Sequence, residues 1–562
     1  MASVCTLLRA ALALASPHCP IYGAEFPKPQ RLTESAIWKA AMENLTATFD
    51  AVDPTAVNYS YTVQVFSTNP GPPILFERCT TAQNLPSNTT GVKKVDVDTV
   101  FRIGSVTKIY TVLAFLAETG VNGYPGNETV DELRTVKWED ITIEALLSQM
   151  SGIERDYLIL GEIIGSIPLD RAMRLGFPPL GPLPPCGVDP LCNRKQFFEG
   201  IANAYPSFAP WKTPAYSNIA FQLLSYALET MTGRSFVASL NVTVLNPLNM
   251  RHTYYDNPPD SVGIIPRATG SGWRANIGDE SPSGNMFAST GDLTALGRAI
   301  LGSTVLTPLM TRRWLKPVTY ASDNVAAVGM PWGLRRLPLS STNPHRTVTA
   351  FTKAGGVGDY SALLTVLPEF DLGITIMVAG PNTAGGIWSM ADSIGAVILP
   401  AYDAATRDDA NRRYAGRYVA DPAVYPNLTS SLELTTDPAK PGVGVGSWIS
   451  NGTDMIPVAQ SLQSGMSVPS DPGAGNSSTP SVRLYYTGLQ SGSREAFKAV
   501  FEAQGAPDNP GTGFSTDCGT WIDYTGVTYA GMPLDEFIFE SDDAGNVLSV
   551  KNLALNVTLQ KV

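Results

Sequence analysis

A hydroxyl and an amine stand three residues apart at Ser105 and Lys108, in the run Gly104-Ser105-Val106-Thr107-Lys108. The apolar residues that follow recur at helical spacing as far as Gly120, which suits a C-terminal cap. Three residues is close to one helical turn, so both side chains share a face. An amine in apolar surroundings gives up its proton readily and can then accept one from a hydroxyl. The helix N-terminus also sets a positive field where charge would develop on an attacked carbonyl oxygen. The chemistry is nucleophilic attack by an activated serine. The plain alternative is a capping Ser beside a surface Lys, and a chain of this composition yields roughly one Ser-x-x-Lys by chance.

Two further patterns give the first one meaning. Tyr216-Ser217-Asn218 precedes an amphipathic run, Ile219 to Met231. A Tyr phenolate held between cations can take up a proton and relay it to a leaving group, and can activate water. Asn218 can orient a substrate carbonyl or the Lys108 amine. Lys353-Ala354-Gly355-Gly356 stands just before two apolar strands. Lys353, placed on an edge strand facing a cleft, would bind a substrate carboxylate and favour the phenolate. Gly355 and Gly356 would let backbone approach substrate, with the Gly356 and Ser105 N–H groups forming an oxyanion hole. Taken singly, the bare patterns recur elsewhere, as Tyr255-Asp-Asn257, Tyr425-Pro-Asn427 and Lys440-Pro-Gly442. Their order and settings separate the three.

The elements that must position these groups can be read coarsely. Glu34 to Phe49 is helical, and Tyr61 to Phe66 alternates as a strand. Residues 137 to 301 are mostly helical segments split by Pro/Gly loops, with the clearest break from Pro178 to Pro190. Tyr360 to Leu367 and Leu372 to Val378 read as strands joined by the turn Pro368-Glu-Phe-Asp371. A helix is expected from about Gly385 to Leu399, then a boundary near 400–413, where polar residues dominate. A strand at the front, helices in the middle and strands at the back predict one sheet built from both ends of a domain.

With these motifs in order, the chain resembles the class C β-lactamase-related family, which includes penicillin-binding carboxypeptidases, esterases and acyltransferases. Phe101 to Lys108, Leu146 to Ile153, Ser281 to Leu293, Pro331 to Leu334 and Gly355 to Ser361 are similar to family segments. Gln149 stands where many members carry His, and Asp359 where a Gly usually precedes the aromatic. The first would alter the pocket floor; the second would put a charge near its rim. The resemblance implies an α/β fold of the α+β type. A serine β-lactamase/penicillin-binding-protein-like domain with an antiparallel sheet and a helical subdomain would span 34–400. A smaller β-rich domain, resembling extensions on secreted fungal members, would span 414–562. It also implies a serine hydrolase acting on a small-molecule ester, amide or lactam through a Ser105 acyl-enzyme. An acyltransferase or thioesterase tailoring a natural product in fungal secondary metabolism uses the same residues. A non-catalytic binding protein on this scaffold is the reading of another class; it would be expected to have lost Ser105, Lys108 or Tyr216.

Composition excludes other chemistry. The net charge is −11 over 562 residues, with no basic stretch to hold a nucleic acid. Three His (His18, His252, His345) form no zinc pattern, and no Gly-x-Ser-x-Gly elbow supports a Ser-His-Asp site. No cofactor or metal is expected, and no stretch is long enough to span a membrane. Residues 1–24 read as a signal-type segment, with an apolar run and Ala13-x-Ala15 as a cleavage pattern, although Arg9 interrupts that run. Asn-x-Ser/Thr acceptors occur at Asn44, Asn58, Asn88, Asn127, Asn241, Asn427, Asn451, Asn476 and Asn556. Cys186 and Cys192 flank a short loop that a disulfide would close, whereas the pairing of Cys19, Cys79 and Cys518 stays open. A glycosylated, secreted protein is the expectation.

Overall fold

The computed structural model describes residues 25–51, 58–119, 136–157, 169–178, 186, 190–340, 343–381, 383–463, 481–502 and 526–562. Gly120, His18, Asn127, Asn476, Cys19 and Cys518 lie outside the described residues.

Strands β1 (Ser60–Ser67) and β2 (Ile74–Thr80) come from the front of the chain. Strands β3 (Val100–Arg102), β4 (Thr253–Tyr254) and β5 (Phe287–Ser289) form a small sheet in the order β3-β5-β4. Strands β6 (Thr319–Tyr320), β7 (Ala326–Val328), β8 (Gly333–Ser340), β9 (Asn343–Val357), β10 (Tyr360–Leu367) and β11 (Leu372–Ala379) follow. They join β1 and β2 in an antiparallel sheet of order β2-β1-β11-β10-β9-β8-β7-β6. The expected sheet from both ends of a domain is present, with β1 locked against β11 from Ser60/Ala379 to Ser67/Leu372.

β1, β10 and β11 are buried at every position, which the apolar runs of β10 and β11 foretell and the alternation of β1 does not. One face of the sheet packs on the helices Ala36–Asp50 and Thr383–Tyr414 through Val63, Val65, Leu363 and Ile376. The other face packs on the helical region through Phe66, Leu364, Val366 and Met377. That region contains the helices Thr107–Thr119, Ile219–Thr232 and Thr290–Leu301. The disulfide Cys186–Cys192 closes its loop with Cα atoms 4.9 Å apart, and Cys79 carries a free thiol.

The polar stretch near 400–413, where the domain boundary is expected, is helical. The helix that starts at Thr383 runs 32 residues to Tyr414, through Pro400. Its second half serves two cores: Ala401, Tyr402 and Ala405 pack on the large sheet, and Ala410 and Tyr414 enter the C-terminal core. Several of its charges are paired, Arg407 with Asp403 at 2.9 Å and Arg413 with Glu495 at 2.9 Å. A polar sequence with one apolar stripe thus carries one helix from the first core into the second.

The C-terminal β-rich domain is a closed barrel. Strands β12 (Gly416–Ala420), β13 (Ser431–Thr435), β14 (Val443–Ser450), β16 (Ser481–Ser491), β17 (Arg494–Glu502), β20 (Glu536–Ser541), β21 (Val547–Asn552) and β22 (Val557–Lys561) each pair with the next, and β22 pairs back on β12. The short strands β15 (Thr453–Asp454), β18 (Thr528–Tyr529) and β19 (Met532–Pro533) lie outside this ring. Each of the eight ring strands is paired on both sides, and Trp448, Phe497, Phe537, Phe539 and Tyr418 fill the interior.

Candidate active site

Ser105 sits in the 3-10 turn Gly104–Val106, which runs directly into the buried helix Thr107–Thr119. This turn is pressed against the end of β9. A Cβ on Gly355 would lie 2.2 Å from Ile103 O and 2.5 Å from Ser105 N. A Cβ on Gly104, whose φ is +49°, would lie 2.5 Å from Gly356 N. Only glycines permit this contact, and it sets the Ser105 and Gly356 backbones side by side.

Lys108 is fully buried beneath Ser105. Its Nζ lies 2.6 Å from Asn218 Oδ1, 2.7 Å from Ser283 O and 3.3 Å from Ser105 Oγ. Two of these partners only accept; the third, a hydroxyl, can also donate. A neutral amine matches that set with two N–H donors and one lone pair aimed at Ser105. Burial pulls the Lys108 amine down to about 7, against the pull of Glu280 and Asp156.

Tyr216 reaches Ser105 from the other side, and its OH donates to Ser105 Oγ at 2.6 Å. Lys108 Nζ, Arg155 Cζ and Lys353 Nζ lie 4.9, 5.2 and 5.4 Å from its ring centre. The loop bearing it is clasped by Gln149, whose backbone O accepts from Ala215 N at 2.9 Å and whose Oε1 accepts from Ser217 N at 2.7 Å. Gln149, expected to shape the pocket floor, thus grips both residues that flank Tyr216.

Asn218 is buried beside Lys108, whose amine it orients through Oδ1. Its Nδ2 donates to Asp156 Oδ1 at 2.6 Å, so both ends of the amide are used in the wall. Because a carboxylate only accepts, Asp156 fixes which end of the amide faces Lys108.

Lys353 is not on an edge strand of the sheet: β9 lies between β8 and β10. The pairing with β8 stops at Thr352, opposite Gly333, while that with β10 continues to Val357. The last residues of β9 therefore have an open flank, which is where Lys353, Gly355 and Gly356 stand. Burial lowers the Lys353 amine to about 8, partly offset by Tyr216. Asp359 brings no net charge to the rim, because Arg267 holds it in a two-point ion pair.

The five polar residues Ser105, Lys108, Tyr216, Asn218 and Lys353, with Gly355 and Gly356, thus converge on one spot. Sequence reasoning missed Arg155, Asp156, Glu280 and the backbone of Ser283. Each is an unremarkable residue in its own segment, and only folding brings them to Lys108. His252 lies apart, with Nδ1 3.4 Å from Asp98.

The profile of a family described as "Beta-lactamase" matches residues 82–394, and one described as "Beta-lactamase-like-like, C-terminal domain" matches 406–562. The chain belongs to the β-lactamase family of serine-hydrolase-type proteins. It is 30% identical over 463 residues to a "Beta-lactamase-like protein" of Arthroderma benhamiae, covering 79% of this chain and 75% of that one. It is 28% identical over 499 residues to "Probable hydrolase M10" of a Phoma species, covering 84% and 80%. Among solved structures, a β-lactamase/D-alanine carboxypeptidase from Yersinia pestis complexed with citrate is 17% identical with a TM-score of 0.46, covering 66% and 99%.

Proposed function

We propose that the protein is a hydrolase that opens an ester, amide or lactam bond of a small molecule through an acyl-enzyme on Ser105. The observation that carries this is the position of Ser105 Oγ, which lies 3.3 Å from Lys108 Nζ and 2.6 Å from Tyr216 OH. Neutral Lys108 takes the Ser105 proton as Oγ attacks the carbonyl carbon. The oxyanion forms between the N–H groups of Ser105 and Gly356. Tyr216 passes a proton to the leaving group, then takes one from the water that attacks the acyl carbon, while Lys108 returns its proton to the departing Ser105 Oγ. Lys353 pairs with a substrate carboxylate.

Hydrolase-named relatives support the reaction class, and the complete set Ser105, Lys108 and Tyr216 argues against a non-catalytic binding role. The test is mass spectrometry of the intact chain after exposure to β-lactams, aryl esters, D-amino peptides and acyl thioesters. The mass gain should map to the peptide bearing Ser105. A panel without any adduct on folded protein overturns the proposal.

The base sets the pH dependence. Below about 7 the Lys108 amine is protonated and cannot accept the serine proton. The acylation rate should rise with pH through the neutral range, ten-fold per unit on its acid limb. Stopped-flow acylation with an ester probe reads this directly. A flat profile across the neutral range sinks Lys108 as the base.

A secretory route is part of the same proposal. No helix among the described residues is long and apolar enough to cross a membrane, and the Cys186–Cys192 disulfide suits an oxidising compartment. Of the sugar acceptors, Asn44, Asn58, Asn88, Asn427, Asn451 and Asn556 are exposed, and Asn241 is half-buried.

A further inference from the structure

The wall behind Lys108 holds two carboxyl groups for which the acylation steps give no task. Asp156 has a side chain only 8% exposed, and Glu280, at the end of the turn Gly278–Glu280, is 1% exposed. Among the described residues, neither oxygen of Glu280 meets a hydrogen-bond donor. What faces it is the Asp156 carboxyl. Two ionised carboxylates are both acceptors and repel, so a buried facing pair must hold a proton. Asp156 is already occupied by the Asn218 amide at 2.6 Å and the Arg155 guanidinium at 3.2 Å. The shared proton therefore belongs on Glu280, which donates it to Asp156.

We propose that Glu280 is a positioning residue for the Ser105 chemistry: as a neutral acid bonded to Asp156, it leaves Lys108 facing one carboxylate instead of two. An ionised Glu280 would hold Lys108 as an ammonium ion and withdraw the base. The other groups around the pair do not supply this control. Arg155 is spent on Asp156, and Asp279 accepts from Tyr226 OH at 2.7 Å. Lys353 and Tyr216 lie on the substrate side of Lys108. Burial, then Asp156, pushes Glu280 up to about 8, close to the value near 7 of Lys108. Neighbouring titrations this close are shared, and the first proton lost comes partly from each group.

The inference rests on the acyl-enzyme reading, so its test has one readout that needs no turnover. Glu280→Gln keeps the shape and removes the titration. Its maximal Ser105 acylation rate should stay within about threefold of the parent, while the rise with pH becomes a single steeper step centred about half a unit lower. Superimposable pH profiles, or a large loss of maximal rate at an unchanged midpoint, overturn the proposal. Infrared difference spectra at neutral pH, taken on a Ser105→Ala background, should show a protonated-carboxyl stretch that Glu280→Gln removes. Asp156→Asn should make that stretch titrate at lower pH. A spectrum without the stretch, or one unchanged by both substitutions, overturns the proposal. A chain whose Ser105 takes no label refutes the acyl-enzyme alone, and the infrared band still locates the proton.

Discussion

Ser105→Ala abolishes acyl-adduct formation and lowers turnover on any substrate found for this protein by on the order of 10⁴-fold or more. The size follows from what the hydroxyl does. Without Oγ the Lys108 amine and the Tyr216 hydroxyl have no nucleophile to exchange a proton with, and only the oxyanion site and binding remain. The fold should be untouched. Ser105 is half-buried at the start of a helix whose neighbours Val106, Ile109 and Tyr110 are fully buried and supply the packing. Alanine also removes the hydroxyl that faces the Lys108 lone pair, while the amine keeps Asn218 Oδ1 and Ser283 O. The melting temperature should therefore stay within a few degrees of the parent. Turnover by a correctly folded Ser105→Ala protein would mean that another nucleophile does the chemistry. Turnover lost together with a collapse in melting temperature would assign Ser105 a structural role instead.

How much of this site was open to reading depends on how locally each group is encoded. Ser105 and Lys108 are coupled by helix spacing, so three residues of sequence suffice to place them together. Tyr216 and Lys353 are legible through their settings, a loop before an amphipathic helix and a turn before apolar strands. The hairpin of β10 and β11 was visible because strands buried on both faces are written as unbroken apolar runs. Asp156 and Glu280 were not legible. They stand 124 positions apart by their numbering and meet only because the segment after Gln149 and the turn before Ser281 both pack on Lys108. Nothing in the identity of a Glu marks it as one that will be buried without a donor. The barrel closure was hidden for the same reason, since it rests on pairing Tyr418 with Lys561 across the whole domain. The helix expected to end near Leu399 runs on to Tyr414, an extent hidden because polar content there outweighs the apolar stripe of Tyr402, Ala405, Ala410 and Tyr414.

The two glycines read together as allowing close backbone approach are not equivalent, and this separates the second large prediction from a general intolerance at the motif. Gly355 faces the nucleophile turn. An added Cβ would meet Ile103 O at 2.2 Å, Ser105 N at 2.5 Å and Val106 N at 2.8 Å. All three are backbone atoms, so relief requires β9 and the turn to move apart. That movement separates the Ser105 and Gly356 N–H groups, and losing one aligned oxyanion donor costs on the order of 10²- to 10³-fold in turnover. Gly356 faces the sheet, where a Cβ would meet only Tyr360 O at 3.5 Å and Ser361 Oγ at 3.7 Å, ordinary contact distances. Gly355→Ala should therefore fall by at least about 10²-fold in turnover and melt at a lower temperature. Gly356→Ala should keep turnover within about tenfold of the parent, since its N–H stays in place. Equal effects at the two positions, or an active Gly355→Ala, would show that the β9 end does not define the oxyanion position. The contrast tests geometry rather than conformational freedom, because neither glycine has the left-handed φ that Gly104 adopts at +49°.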